Sequence, residues 1–150
     1  MTTASQSDVL ELEMRVAASP ETVFGFLNNG AGMARWFGSK VELDPQPGGA
    51  IRVQVNEGHI ARGEIVEIVP NERIVFTFGW EGEGQAVPPG ASTVEIALVP
   101  DGDGTIVRLK HSGLTAEQAD SHKEGWDHYL RRLVEVAGGG DPGADPWGEG

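Results

Sequence analysis

The sequence predicts a single α+β domain in which an antiparallel β-sheet packs against one long helix near the C-terminus. Three observations carry this prediction: short runs with β-type alternation, turn-forming residues between those runs, and one long stretch with helical periodicity. At 150 residues the chain has the length of one ordinary domain. Its 39% hydrophobic and 23% charged residues are typical of a globular protein, so we expect it to fold on its own.

The first predicted elements are one strand and two short helices. Apolar and charged side chains alternate from Val9 to Val16, as in a half-buried strand. A helix follows because Ser19 can cap free backbone N–H groups and Pro20 suits the first helical position. Asn28-Asn29-Gly30 ends it, and a second short helical segment is predicted from Ala31 to Trp36.

The middle of the chain predicts an antiparallel meander. Short β-like runs are separated by segments rich in glycine, proline, asparagine and aspartate, which favour tight turns. The predicted strands are Val41 to Leu43, Ile51 to Val55, Ile60 to Val69, Arg73 to Trp80, Thr93 to Val99 and Thr105 to His111. Ile60 to Val69 carries apolar residues on both parities, so its inward face stays open. Glu81 to Ser92, centred on Pro88-Pro89-Gly90, predicts an extended loop.

The last predicted element is a long helix from Thr115 to Ala137. Thr115 and Gln118 have the spacing of a capping box, and Gly138-Gly139-Gly140 ends the helical pattern. The apolar stripe lies mainly in the second half of the helix, and His122 extends it by one turn. Its members are Trp126, Tyr129, Leu130, Leu133 and Ala137. Residues 9–137 are therefore the predicted domain, between a disordered N-terminus at 1–8 and a flexible glycine- and proline-rich tail at 138–150.

Charge and composition exclude several classes of function. A formal net charge of −12 disfavours nucleic acid and anionic membrane partners, and the absence of cysteine removes disulfides, thiol nucleophiles and thiolate metal sites. With neither a signal peptide nor a membrane span in view, we expect a cytoplasmic protein. His122 and His128 lie about 240° apart around a helix and cannot share a metal ion from one face. We therefore expect no metal and no cofactor.

Several motifs, in their order along the chain, carry a resemblance to a known superfamily. They are Ala18-Ser19-Pro20-Glu21-Thr22-Val23-Phe24, Ala34-Arg35-Trp36-Phe37, Gly63-Glu64-Ile65-Val66-Glu67-Ile68-Val69-Pro70, Val75-Phe76-Thr77-Phe78, His111-Ser112-Gly113-Leu114, Gly125-Trp126 and Tyr129-Leu130. Together they resemble the START-like, or SRPBCC, superfamily, and more narrowly the bacterial proteins related to the C-terminal domain of the activator of the heat-shock protein 90 ATPase. The resemblance covers roughly Val9 to Ala137. It implies the helix-grip fold, in which a curved antiparallel sheet of about six to seven strands wraps around the last helix.

The resemblance also implies a function. Members of the superfamily enclose a cavity that binds an apolar or aromatic small molecule, and strand parity with the helix stripe indicates which residues would line it here. The expected ligand-binding residues are Trp36, Phe37, Val53, Phe76, Phe78, Trp80, Leu109, His111, His122, Trp126 and Tyr129. Among them, Trp36 and Trp80 are expected to flank the opening.

Two other classes of function stay open. One is a cyclase- or hydrolase-type enzyme in which His111 or His122 moves a proton, although no catalytic residue is assigned. The simpler interpretation of His111 is a hydrogen bond to the backbone at the end of its strand. The other class is a co-chaperone-like module that binds a basic partner through its acidic surface. A chaperone partner is not expected, because the partner-binding N-terminal domain of the eukaryotic activator has no counterpart here, whereas a homodimer is expected by analogy.

Overall fold

The strands form one antiparallel sheet in the order β1-β7-β6-β5-β4-β3-β2. They are β1 (Leu10–Val16), β2 (Lys40–Leu43), β3 (Ala50–Asn56), β4 (His59–Val69), β5 (Arg73–Trp80), β6 (Ser92–Asp101) and β7 (Gly104–Ser112). The helices are α1 (Pro20–Phe24), α2 (Gly30–Met33) and α3 (Ala116–Ala137). This computed structural model describes residues 10–37, 40–56, 59–81, 92–113 and 116–140, without the side chains of residues 55, 56, 59 and 116–121. The α+β helix-grip prediction is confirmed.

Some sequence predictions lie outside the described residues. They concern the disordered N-terminus at 1–8, the centre of the Glu81 to Ser92 loop, the capping box of Thr115 and Gln118, and the tail beyond residue 140. Within the described helices, none combines the length and the hydropathy that a bilayer crossing requires.

The sheet has an apolar inner face and a charged outer face. On β5, Ile74, Phe76 and Phe78 are buried, whereas the residues between them are half-buried. On the outer face, Glu13 of β1 lies opposite Arg108 of β7 and the two form an ion pair of 2.7 Å. The strict alternation in the sequence therefore becomes a difference between two faces of one sheet.

A β-bulge resolves the ambiguous parity of β4. Ile65 pairs with Phe76 but Glu67 pairs with Val75, so Val66 is the extra residue. Ile65 is buried and Val66 is 53% exposed. A bulge shifts the alternation of side chains by one residue. Inward-facing residues before and after Val66 therefore lie on different parities of the sequence.

The two short helices begin at side-chain caps. The Ser19 hydroxyl accepts the Thr22 N–H at 3.2 Å, and the Asn29 side chain accepts the Gly32 N–H at 2.6 Å. The second helix is shorter than predicted. The N–H groups of Arg35 and Trp36 donate to carbonyls three residues earlier in the chain, as in a 3₁₀ helix, so the α-helical pattern ends at Met33. Gly30 allows this helix to lie on β2, since a Cβ there would be 2.5 Å from the Val41 carbonyl oxygen.

Helix α3 closes the inner face of the sheet and contacts β1. The apolar stripe predicted for its second half is the buried face. Its buried residues are Trp126, Tyr129, Leu130, Leu133, Val136 and Ala137. One core therefore lies between the sheet, α3 and the two short helices.

Candidate ligand-binding site

The strand parity of β7 carries His111 into the interior, together with Val107 and Leu109. His111 pairs across the sheet with Leu10 on one side and Val94 on the other, and it has no solvent exposure. A polar ring at such a position is stable only when its nitrogens have hydrogen-bond partners.

Both ring nitrogens of His111 have partners, and the chemistry of those partners determines the tautomer. The Trp126 Nε1–H donates to Nδ1 at 3.0 Å, and an indole can only donate, so Nδ1 carries no proton. In the neutral ring Nε2 carries it and donates to the Ser92 hydroxyl at 2.8 Å. The Ser92 hydroxyl in turn donates to the Phe78 carbonyl at 2.6 Å. We call these four residues the His111 network.

The environment keeps His111 neutral. Burial lowers the pKa of His111 to about 3, and the electrostatic interaction with the neighbouring His122 lowers it further. A neutral ring whose two nitrogens are engaged is not available as a proton shuttle at physiological pH. The sequence interpretation of His111 as a hydrogen-bonded residue is right in kind, but its partners are the side chains of Ser92 and Trp126.

A second hydrogen bond lies beside this network at the margin of the core. The Trp80 Nε1–H donates to His122 Nε2 at 3.1 Å, and this bond joins β5 to α3. Both side chains are half-buried. Phe78 connects this pair to the interior, with its ring 5.4 Å from Trp80, 6.1 Å from His122, 5.0 Å from His111 and 5.8 Å from Trp126.

The aromatic side chains continue toward the short helices. The Phe37 ring lies 5.0 Å from both Trp126 and Tyr129, and it stacks on Trp36 at 5.5 Å. Trp36 is completely buried, and its indole N–H donates to the Phe26 carbonyl at 2.8 Å. Trp36 is therefore an interior residue, in contrast to the expected place at an opening, because that hydrogen bond turns its polar edge inward.

The eleven expected lining residues fall on the inner side of the sheet, on α3 or, for Trp36 and Phe37, in the turn that follows α2. Trp80 and His122 are half-buried, and the others are buried. A narrow void between Phe37 and strands β3, β4 and β5 is partly open to solvent, and its space between atoms is about 170 Å³, but no part of it is wide enough for a water molecule. It is lined by Phe37, Ile51, Val53, Ala61, Arg62, Gly63, Phe76, Thr77 and Phe78. At this place the inner face is filled by its own side chains.

Two residues of the site were missed from the sequence. Ser92 belongs to the inner parity of β6 with Val94 and Ile96, and that alternation could have identified it if the strand had been started one residue earlier. Ala61 pairs with Trp80 and lines the void, but a small apolar residue carries no signal of its own. Among the described residues there is no group of three side chains suited to a metal ion.

The curved sheet around a long helix, with aromatic and imidazole side chains on its inner face, defines a protein of the helix-grip class. Residues 17–138 match the family model described as "Activator of Hsp90 ATPase homolog 1-like protein". The chain therefore belongs to that AHSA1-like family, within the START-like superfamily, as the sequence motifs predicted.

Solved structures place the chain beside three relatives. An AHSA1-like protein from Rhizobium etli is 47% identical, with a TM-score of 0.72, over 92% of this chain and 86% of that one. DynU16, described as a putative protein in the dynemicin biosynthetic locus, is 24% identical, with a TM-score of 0.76, over 90% of this chain and 49% of that one. The Aha1 dimer from Colwellia psychrerythraea is 19% identical, with a TM-score of 0.73, over 88% and 98% of the two chains. The last two similarities concern the fold alone, and no curated protein matches the chain.

Proposed function

We propose that this protein binds an apolar or aromatic small molecule between the curved sheet and α3. The observation that carries the proposal is a continuous series of aromatic and imidazole rings, which runs from the half-buried Trp80 and His122 to the buried Trp126 and Phe37. The proposed contact residues are the eleven predicted from the sequence: Trp36, Phe37, Val53, Phe76, Phe78, Trp80, Leu109, His111, His122, Trp126 and Tyr129. An apolar lining with a few polar groups is the usual composition of a small-molecule site.

The ligand has to make part of its own space. The void beside Phe76 and Phe78 is too narrow for a water molecule, so the side chains that line it have fewer packing contacts than a filled core would give them. An apolar ring that displaces the Phe78 side chain from the void would supply the missing packing contacts and would displace no bound water. The void is therefore the proposed starting point of the cavity, and Trp80 with His122 is the proposed side of access.

The His111 network supports binding over catalysis. Because both nitrogens of His111 are engaged, the imidazole holds Trp126 and Ser92 in place instead of reacting with a ligand.

Two measurements test the proposal. Native mass spectrometry of the purified protein, compared with its denatured mass, should reveal a retained molecule as an excess mass that denaturation removes. A titration with N-phenyl-naphthylamine, a neutral dye that fluoresces in apolar surroundings, then compares Ala61→Leu with the unchanged protein. We expect at least tenfold weaker dye binding, because the added carbons occupy the void that Ala61 lines.

Ala97→Leu is the matched control, since Ala97 pairs with Arg73 and Arg108 on the outer face of the same sheet. It should leave dye affinity unchanged. Ala61→Val is the smaller step if Ala61→Leu unfolds the protein. Equal affinity of a folded Ala61 variant and the unchanged protein, or the absence of both a retained molecule and dye binding, would refute a ligand site between the sheet and α3.

A further inference from the structure

An ion cluster on the outer face of the sheet lies directly behind Trp80. Arg52 of β3 holds the Glu81 carboxylate with two N–H groups, Nε at 2.8 Å and an Nη at 3.3 Å. Arg62 of β4 approaches the same carboxylate at 3.9 Å, and Glu42 of β2 approaches Arg52 at 3.5 Å. Two-pronged arginine–carboxylate contacts restrict orientation more strongly than single contacts do.

The backbone connects this cluster to the candidate site. Trp80 is the last residue of β5 and lies opposite Ala61 on the inner face, and Glu81 is its immediate neighbour in the chain. The Glu81 N–H donates to the Ile60 carbonyl at 2.8 Å, so the chain is still held to β4 at this point. The side chain of Glu81 points to the outer face, where it reaches across β4 to Arg52 on β3.

We infer that Arg52 and Glu81 are positioning residues for Trp80, and that their ion pair controls how fast a ligand enters and leaves the interior. Trp80 is held on the inner face by its hydrogen bond to His122. On the outer face, the ion pair between Arg52 and Glu81 holds the residue next to it in the chain. Breaking the ion pair between Arg52 and Glu81 would allow the end of β5 to move away from α3. The inference rests on the proposed function for the ligand, but the positioning itself can be measured without one.

The ion pair between Arg52 and Glu81 favours the charged form of both partners. The hydrogen bond from Arg52 lowers the pKa of the Glu81 carboxyl, and the same hydrogen bond raises the pKa of Arg52. Both groups therefore stay charged at neutral pH. Because the Arg52 side chain is 43% exposed, dissolved salt screens the pair, and ligand exchange should become faster as ionic strength rises.

The first test follows the Trp80 indole N–H by nuclear magnetic resonance, with the resonance assigned by Trp80→Phe. In Arg52→Ala its exchange with water should become about two- to fivefold faster, the range expected for loss of one exposed ion pair. The indole resonances of Trp36 and Trp126 should not change. Arg73→Ala is the matched control, because Arg73 forms a similar 2.9 Å ion pair with Glu67 at the opposite end of β5.

The second test measures N-phenyl-naphthylamine binding by stopped-flow fluorescence. Association and dissociation rates should both rise about two- to fivefold in Arg52→Ala, with the Kd nearly constant. Arg52→Lys keeps the positive charge beside Glu81 and Glu42, so it should restore most of both rates. A general loss of structure would weaken binding instead and would not be rescued.

The outcomes separate the two ideas. Unchanged Trp80 exchange in Arg52→Ala, or unchanged dye rates in a variant that binds the dye, would overturn the positioning role. Faster exchange of the Trp80 indole N–H with water in Arg52→Ala, in a protein that binds no dye, would instead overturn the proposed function. The ion pair between Arg52 and Glu81 would then only stabilise the end of β5.

Discussion

His111 and His122 are neighbouring histidines with different surroundings. The rings of His111 and His122 lie 5.3 Å apart, yet His111 has no exposure and both its nitrogens are engaged in one directed network, whereas His122 is half-buried and accepts a hydrogen bond from Trp80. The difference teaches that residue type alone does not assign chemistry. His111 holds the sheet to α3, and His122 lies where the interior meets the surface.

The largest expected effect is on the buried side of this comparison. In His111→Leu the Trp126 indole N–H and the Ser92 hydroxyl each lose a partner inside the core. We expect the free energy of unfolding to fall by about 3 kcal/mol, because buried polar groups without partners cost that much together. Urea denaturation followed by near-UV circular dichroism measures it.

His128→Leu is the control for that experiment, since His128 is half-buried and packs against Tyr129 at 4.9 Å, away from the network. It should cost clearly less. Equal losses in the two variants would contradict the structural role assigned to His111.

The second effect is a dependence of stability on pH. The folded protein takes up a proton at His111 only near pH 3, whereas the unfolded chain does so near 6.5. Between these values the unfolded state binds more protons, so the free energy of unfolding falls as the pH is lowered. From pH 7 to pH 5 we expect a loss of about 2 kcal/mol.

His111→Gln removes the titrating group and should be nearly flat over the same pH interval, although it is less stable overall. Thermal or urea unfolding at several pH values makes the comparison. The same slope in His111→Gln and in the unchanged protein would assign the effect to other groups.

The smallest effects compare two tryptophans that each donate one hydrogen bond. Trp36→Phe leaves the Phe26 carbonyl without its indole partner in the core and should cost about 2 kcal/mol, whereas Trp80→Phe loses a half-buried bond to His122 and should cost about 1 kcal/mol or less. Unfolding measured side by side provides the test. A larger loss in Trp80→Phe would mean that the margin of the site, not its interior, stabilises the fold.

Local patterns predicted most of the secondary structure. Alternation in Ile74, Phe76 and Phe78 identified both β5 and its inner face, and the proline at position 20 with its serine cap located α1. These signals act over a few residues and do not depend on the rest of the fold. The resemblance to the START-like superfamily added the helix-grip fold, in which the curved sheet wraps around the last helix.

The sequence could not predict the contacts between distant elements. The bulge at Val66 depends on how β4 pairs with β5, and the complete burial of Trp36 depends on a carbonyl ten residues away. Strand alternation placed His111 inside, but it could not say that Ser92 and Trp126 would hold its nitrogens.

What the sequence determined by itself is which side chains face inward on the regularly alternating strands and on α3, because the periods of strand and helix are local properties of the backbone. What only the tertiary structure decided is which of those side chains meet. Ser92 lies 19 residues and Trp126 lies 15 residues from His111 along the chain, and Trp80 lies 42 residues from His122. Such pairs form because sheet register and the position of α3 bring them together. This is why His111 has both nitrogens engaged inside the core, whereas Trp80 and His122 meet at its margin.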